Sequence, residues 1–172
     1  MRFSNFLTSA AFCVFGFGHG AIAQTLPVIP KFVDETATAG VHSAYNGEWQ
    51  YMVGGGVATF DCNNDGFPDL LLAGGASKAK FFVNKSKKGG ALHFNQQRSG
   101  LEFDHVTGAY PIDIDGDGIT DIVLLRVGEN IVMRGLGGCK FERANTKWAF
   151  DGGDAWSTAF AATWEHGANW PT

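Results

Sequence analysis

The chain has 172 residues, a formal charge of −4 and 45% hydrophobic residues, which supports one buried core and excludes a disordered polymer. Its 13 basic residues against 17 acidic ones give no electrostatic case for a nucleic-acid partner. The aspartates cluster in two short segments, a pattern that points to a cationic ligand rather than to general acidity.

At the start, Arg2 precedes a mostly apolar run from Phe6 to Phe17, and Ala21-Ile22-Ala23 supplies a small-x-small motif before Gln24. This order predicts a signal peptide over residues 1–23 and a mature chain of residues 24–172 that is secreted, periplasmic or held at the cell surface. The apolar run is too short to cross a bilayer and no later stretch is long enough, so no membrane span is expected in the mature chain. Cys13 follows the bulky Phe12, where a lipoprotein would carry a small residue, so lipid anchoring is not expected. Two cysteines then remain, Cys62 and Cys139, in a compartment where disulfides persist. Sequence alone does not bring them to the Cα separation of roughly 4.4 to 6.8 Å that a bridge needs, and pairing stays open.

The main signal is an internal repeat. Val57-Ala58-Thr59-Phe60 runs into Asp61-Cys62-Asn63-Asn64-Asp65-Gly66-Phe67-Pro68-Asp69 and then Leu70-Leu71-Leu72-Ala73. Later, Tyr110-Pro111-Ile112 runs into Asp113-Ile114-Asp115-Gly116-Asp117-Gly118-Ile119-Thr120-Asp121 and then Ile122-Val123-Leu124-Leu125. Downstream, Lys80–Asn84 matches Asn130–Arg134, and Leu92–Asn95 matches Cys139–Glu142. A third copy begins near Trp156, with Ala161–Trp164 echoing Val57–Phe60 and Trp170-Pro171-Thr172 echoing Phe67-Pro68-Asp69. There Trp164, His166, Ala168 and Thr172 replace the acidic or amide residues, so this copy keeps the turn and loses the ligands.

Each unit consists of short β-branched and aromatic runs separated by Gly, Asn, Asp and Lys turns, with almost no 3.6-residue period. The expected fold is all-β: four short strands per unit at a period of about fifty residues, as in the blades of a β-propeller. Closure takes roughly four to eight blades, so the chain reads as a partial propeller, an N-terminal piece of a longer protein.

Calcium takes about six to eight oxygens at roughly 2.3 to 2.6 Å, and a short loop meets that demand by alternating carboxylates with a backbone carbonyl. In the first loop the candidate ligands are Asp61, Asn63, Asp65, Asp69 and the Phe67 carbonyl, with Gly66 allowing the turn. In the second they are Asp113, Asp115, Asp117, Asp121 and the Ile119 carbonyl, with Gly118 at the turn. An EF-hand is excluded because Leu72 and Leu124 stand where it needs a bidentate Glu, and because the flanks are strand-like. Plain Asp/Gly turns are the simpler alternative, but two loops in register, each with Asp at the ninth position, favour metal.

Through DCNNDGFPDLLLAGG and DIDGDGITDIVLLRVG the chain resembles the FG-GAP/VCBS repeat family, the blades of integrin-α-like propellers. The paired loops, the FFVNKS and GGCKFERA stretches and the WSTAFAATWEHGANWPT segment are similar to the start of the bacterial cartilage-acidic-protein-like group that contains ASPIC/UnbV. The resemblance covers residues 30–172 and implies calcium sites at Asp61, Asn63, Asp65, Asp69, Asp113, Asp115, Asp117 and Asp121.

The remaining motifs are weaker. His42, His93 and His105 share no zinc-ligand spacing. Neither a nucleophile elbow nor a phosphate-binding loop is present. Trp148, Trp156, Trp164 and Trp170 are expected to pack between blades rather than to stack on sugars. Asn84-Lys85-Ser86 fits a glycosylation acceptor. Glu35, Asp104, Glu129, Asp151 and Asp154 are scattered and form no recognisable acid/base pair. The expectation is a non-enzymatic module in which calcium stiffens the loops and neighbouring loops meet an extracellular protein or glycan. The alternative is the propeller portion of a carbohydrate-active enzyme whose catalytic residues lie elsewhere.

Overall fold

A computed structural model describes residues 29–172. The expected signal peptide, with Cys13, lies outside the described residues. The chain divides into a leading unit, Met1–Val33, and a main unit, Asp34–Thr172, and every strand described belongs to the main unit. Among the described residues, no helix is long and apolar enough to cross a membrane.

The expectation of an all-β chain holds. Four antiparallel strands, β1 (Val57–Phe60), β2 (Asp69–Leu72), β3 (Lys80–Asn84) and β4 (Phe94–Gln96), pair in chain order. A second sheet repeats the order with β5 (Val106–Ile112), β6 (Asp121–Gly128), β7 (Ile131–Gly135) and β8 (Phe141–Arg143), and the short β9 (Ala155–Trp156) adds to the far end of β6. The only regular helix among the described residues is one 3-10 turn, Trp49–Tyr51. The two sheets do not close into a ring.

One sheet packs face to face on the other. Leu71, Phe81 and Val83 of the first sheet meet Ile122, Leu124 and Met133 of the second in a common core. The rings of Phe60, Phe81 and Phe141 lie 5.9 to 6.4 Å apart in it. Each fully buried side chain of this size contributes roughly 1.5 to 3 kcal/mol. Strand β6 is apolar at every position from Ile122 to Leu125 because it is covered on both faces: Ile122 and Leu124 point to the first sheet, Val123 and Leu125 to a second cluster with Val132, Trp148 and Phe160. That second face of β6 matches the face by which the first sheet packs, so burial passes serially from one unit to the next.

Strand pairing corrects one part of the repeat alignment. Leu70 pairs with Phe82 and Ile122 with Met133, so Lys80–Asn84 is equivalent to Ile131–Gly135, one residue beyond the sequence match. The turn after β6 is one residue shorter: Leu72 pairs with Lys80, but Leu124 with Ile131. Both runs are apolar on both faces, so the period-2 test that normally fixes register has nothing to discriminate. The match of Phe94 with Phe141 stands, since Phe94 pairs with Asn84 and Phe141 with the equivalent Gly135.

The third copy forms its turn. Thr163 and Thr172 exchange both backbone hydrogen bonds, at 3.0 and 2.8 Å, and occupy the place of the pairs Phe60/Asp69 and Ile112/Asp121 in their sheets. Thr163 therefore stands for Phe60 and Trp164 for Asp61, which shifts the strand echo by one residue and keeps the ligand positions as expected. Asn64, Gly116 and Gly167 hold equivalent left-handed positions, with φ of 58°, 70° and 82°.

Each sheet also has a leading segment that the repeat pattern does not reveal. The Ala39 carbonyl accepts a hydrogen bond from the Phe94 N–H, and that of Ser99 one from the Phe141 N–H, both at 2.8 Å. Gly40 and Gly100 follow with φ of 79° and 101°, and a Cβ on either would strike the carbonyl oxygen of Phe94 or Phe141. Gly100→Ala is therefore expected to cost about 2 to 3 kcal/mol, through left-handed strain plus the clash. Gly66→Ala, at φ 83° with open space around it, should cost only about 1 kcal/mol. Urea denaturation of the two variants checks the difference.

Two further expectations change. Asn84 is buried, its Nδ2 donating to the Pro68 carbonyl at 3.0 Å and its Oδ1 accepting from Ser86 N–H. The end of β3 is tucked beneath the first loop, so the acceptor motif does not present its amide to a transferase. Of the tryptophans, Trp148 packs against the second cluster, but Trp156, Trp164 and Trp170 remain 42 to 50% exposed, Trp156 lying edge-on to Trp49.

Candidate metal centre

Both acidic loops sit at equivalent hairpins, the first between β1 and β2 and the second between β5 and β6. Each is folded by its own first carboxylate. Asp61 Oδ2 accepts the Gly66 N–H at 2.7 Å, and Oδ1 accepts those of Asp65 and Asn63 at 3.2 and 3.3 Å. Asp113 Oδ1 accepts the Gly116 N–H at 2.9 Å and Oδ2 that of Gly118 at 3.0 Å. Burial pushes the Asp61 carboxyl up, but the backbone donors of residues 63 to 66 outweigh it and hold the group below its ordinary value. In both loops the fifth residue turns the chain identically: Asp65 Oδ1 accepts from Phe67 N–H, and Asp117 Oδ1 from Ile119 N–H, each at 2.9 Å. These turns fix the backbone around the Phe67 and Ile119 carbonyls.

The ninth-position aspartates have a different place. Asp69 and Asp121 are fully buried. Asp69 accepts the N–H groups of Cys62 and Asn84 at 2.9 and 2.8 Å. Asp121 accepts those of Ile114 and Gly135, both at 2.8 Å. Each carboxylate thus ties its loop to the strand beyond, and each oxygen keeps a lone pair. Burial pushes both carboxyls up, against the pull of those donors, and the neighbouring loop aspartates add to the rise.

At the mouth of the second loop, oxygens of Asp113, Asp115 and Asp117 lie within 4.8 Å of one another. Asp115 Oδ1 is buried and has no hydrogen-bond partner. A buried carboxylate oxygen without a donor is costly. Convergent carboxylates around such an atom match the oxygen-rich donor set of a hard divalent cation, so the residues fit calcium. Asp115 Oδ2 and Asp117 Oδ2 are held by Arg134, at 2.9 Å from Nε and 2.6 Å from Nη2. This ion pair is the main reason the Asp115 carboxyl lies below its ordinary value. In the first loop Asn63 takes the place of Asp115, its Nδ2 donating to Asp65 Oδ2 at 3.0 Å and its Oδ1 accepting the Asp65 N–H at 3.1 Å.

A disulfide joins Cys62, inside the first loop, to Cys139, in the turn before β8, with the Cα atoms 4.8 Å apart. The Cys139 N–H also donates to the Cys62 carbonyl at 3.3 Å. The bridge left open by the sequence is therefore made, and it pins the first loop to the second sheet.

The other singled-out residues stand apart from the loops. His42 is exposed and its carbonyl accepts from Lys80 Nζ; His93 is exposed; His105 Nδ1 is bonded to the Tyr51 hydroxyl. Glu35 accepts the Leu92 N–H, Asp104 pairs with Arg126, Glu129 pairs with Arg143, and Asp151 accepts the Gly153 N–H. Asp154 lies beside Gly128. Arg134 is the part of the site that sequence reasoning missed, and the disulfide is the part it left open. Arg134 lies one residue out of register in the sequence alignment, and the cysteines are 77 residues apart.

Residues 61–124 match the family model of the FG-GAP-like repeat, a segment that starts at the first ligand position of the first loop and runs through the whole second loop. No curated protein and no solved structure matches the chain.

Proposed function

We propose that this is a secreted calcium-binding FG-GAP/VCBS repeat protein, built of β-propeller blades of the cartilage-acidic-protein-like group. It acts as a non-enzymatic module for an extracellular protein or glycan. The observation that carries the calcium reading is the second loop, where the carboxylates of Asp113, Asp115 and Asp117 converge and the buried Asp115 Oδ1 has no donor; the first loop repeats its fold at an equivalent hairpin. Serial packing of one sheet on the next, with Trp148 and Phe160 continuing it, supports the propeller.

Asp61, Asn63, Asp65 and Asp69 with the Phe67 carbonyl would hold one ion, and Asp113, Asp115, Asp117 and Asp121 with the Ile119 carbonyl a second. Bound calcium supplies charge neutralisation, and its binding energy becomes folding stability because the clustered carboxylates repel one another without it. The loops fixed in this way form a rigid rim for a partner.

Calorimetric titration of the mature chain with calcium is expected to show about two ions per chain, and Asp61→Ala combined with Asp113→Ala should abolish both. An undiminished signal in the double variant would refute the assignment.

A further inference from the structure

The two loops differ by a coupled exchange. The first has three carboxylates, Asp61, Asp65 and Asp69, with Asn63 among them. The second has four, Asp113, Asp115, Asp117 and Asp121, with the Arg134 guanidinium across two of them. Both sum to a formal charge of −3, since the extra carboxylate at Asp115 is offset by the extra cation. The residue equivalent to Arg134 in the first unit is Val83, which is buried in the core between the sheets and brings no charge to its loop.

Arg134 holds two of the carboxylates that a metal would use, and leaves Asp115 Oδ1 free. Its Nε and Nη2 engage Oδ2 of Asp115 and Oδ2 of Asp117 from an adjacent strand that is otherwise buried at Ile131, Val132 and Met133. A guanidinium and a calcium ion at this spacing repel, and one carboxylate pair does not fully serve both.

We infer that Arg134 is a built-in competitor for calcium: the second loop exchanges guanidinium for metal, and so fills only after the first. This rests on the reading that both loops bind calcium. When the open form of a site is only a small fraction of the population, apparent affinity falls by that fraction. The second loop is therefore the responsive site and the first the resident one.

Calorimetry with calcium on the oxidised mature chain tests this. Two steps are expected, differing by at least about tenfold in affinity, the weaker one removed by Asp113→Ala. Arg134→Val and Arg134→Gln should each tighten the weaker step by about tenfold or more and leave the tighter one unchanged. In the wild type, the Arg134 Nε–H resonance, assigned by its loss in Arg134→Gln, should move in the weaker step alone; this readout holds even where a variant folds poorly. Two equal steps, a weaker step indifferent to both substitutions, or an Nε–H signal that ignores calcium would overturn the inference while leaving the calcium loops intact. No calcium binding at all would overturn the reading of the loops, and the competition with it.

Discussion

Replacing Cys62 and Cys139 together by alanine is expected to lower the unfolding free energy by about 3 to 4 kcal/mol. The bridge closes a loop of 77 residues, and in the chain-entropy account a crosslink of that span removes several kcal/mol of freedom from the unfolded ensemble. It also crosses between the two sheets, so the unfolded chain without it must bring them together unaided. The substitution leaves the Cys62 N–H bond to Asp69 in place, because the backbone makes it; the loss therefore reports the crosslink together with the buried packing of the Cys139 side chain. Urea denaturation of the oxidised wild type against the double variant, both in calcium-free buffer, measures it. A difference below about 1 kcal/mol would mean that the unfolded chain is already compact across this span.

The strands and loops were legible because their signals are local. Short apolar runs bounded by Asp, Asn and Gly locate β1, β2, β5 and β6, and alternate aspartates locate the two hairpins between them. The features that stayed hidden depend on how one sheet meets the next. Cys62 and Cys139 become neighbours only because the first sheet packs its Phe81 face on the Leu124 face of the second. Arg134 escaped notice because a turn shorter by one residue moves it out of the alignment, in strands whose two-sided burial conceals register. The left-handed Gly40 and Gly100 were likewise illegible, since the group that demands glycine there is a carbonyl of the distant strand Phe94–Gln96 or Phe141–Arg143.

The ninth-position aspartates clamp the fold beneath the loops, and Asp121→Ala is expected to cost about 3 to 4 kcal/mol even without calcium. Asp121 is fully buried and both its oxygens accept backbone N–H groups, from Ile114 in the loop and Gly135 at the end of β7. Alanine would leave two donors unpaired, Gly135 N–H buried and Ile114 N–H partly so, each costing roughly 1 to 3 kcal/mol. Asp121→Asn keeps one acceptor oxygen and sets an amide NH2 against the other donor, so about half of that loss is expected. Asp117→Ala, at the exposed mouth of the same loop, breaks one contact to Arg134 and one exposed bond from the Ile119 N–H, and should cost only about 1 kcal/mol in calcium-free buffer. With calcium added, Asp117→Ala is expected to weaken the proposed metal site by losing a ligand at its mouth, whereas Asp121→Asn is expected to weaken it both by altering a ligand and by loosening the loop from β7. Denaturation curves with and without calcium for the three variants distinguish a buried clamp beneath the loop from a ligand at its mouth. A calcium-free stability of Asp121→Ala close to that of the wild type would show that Asp121 is no clamp.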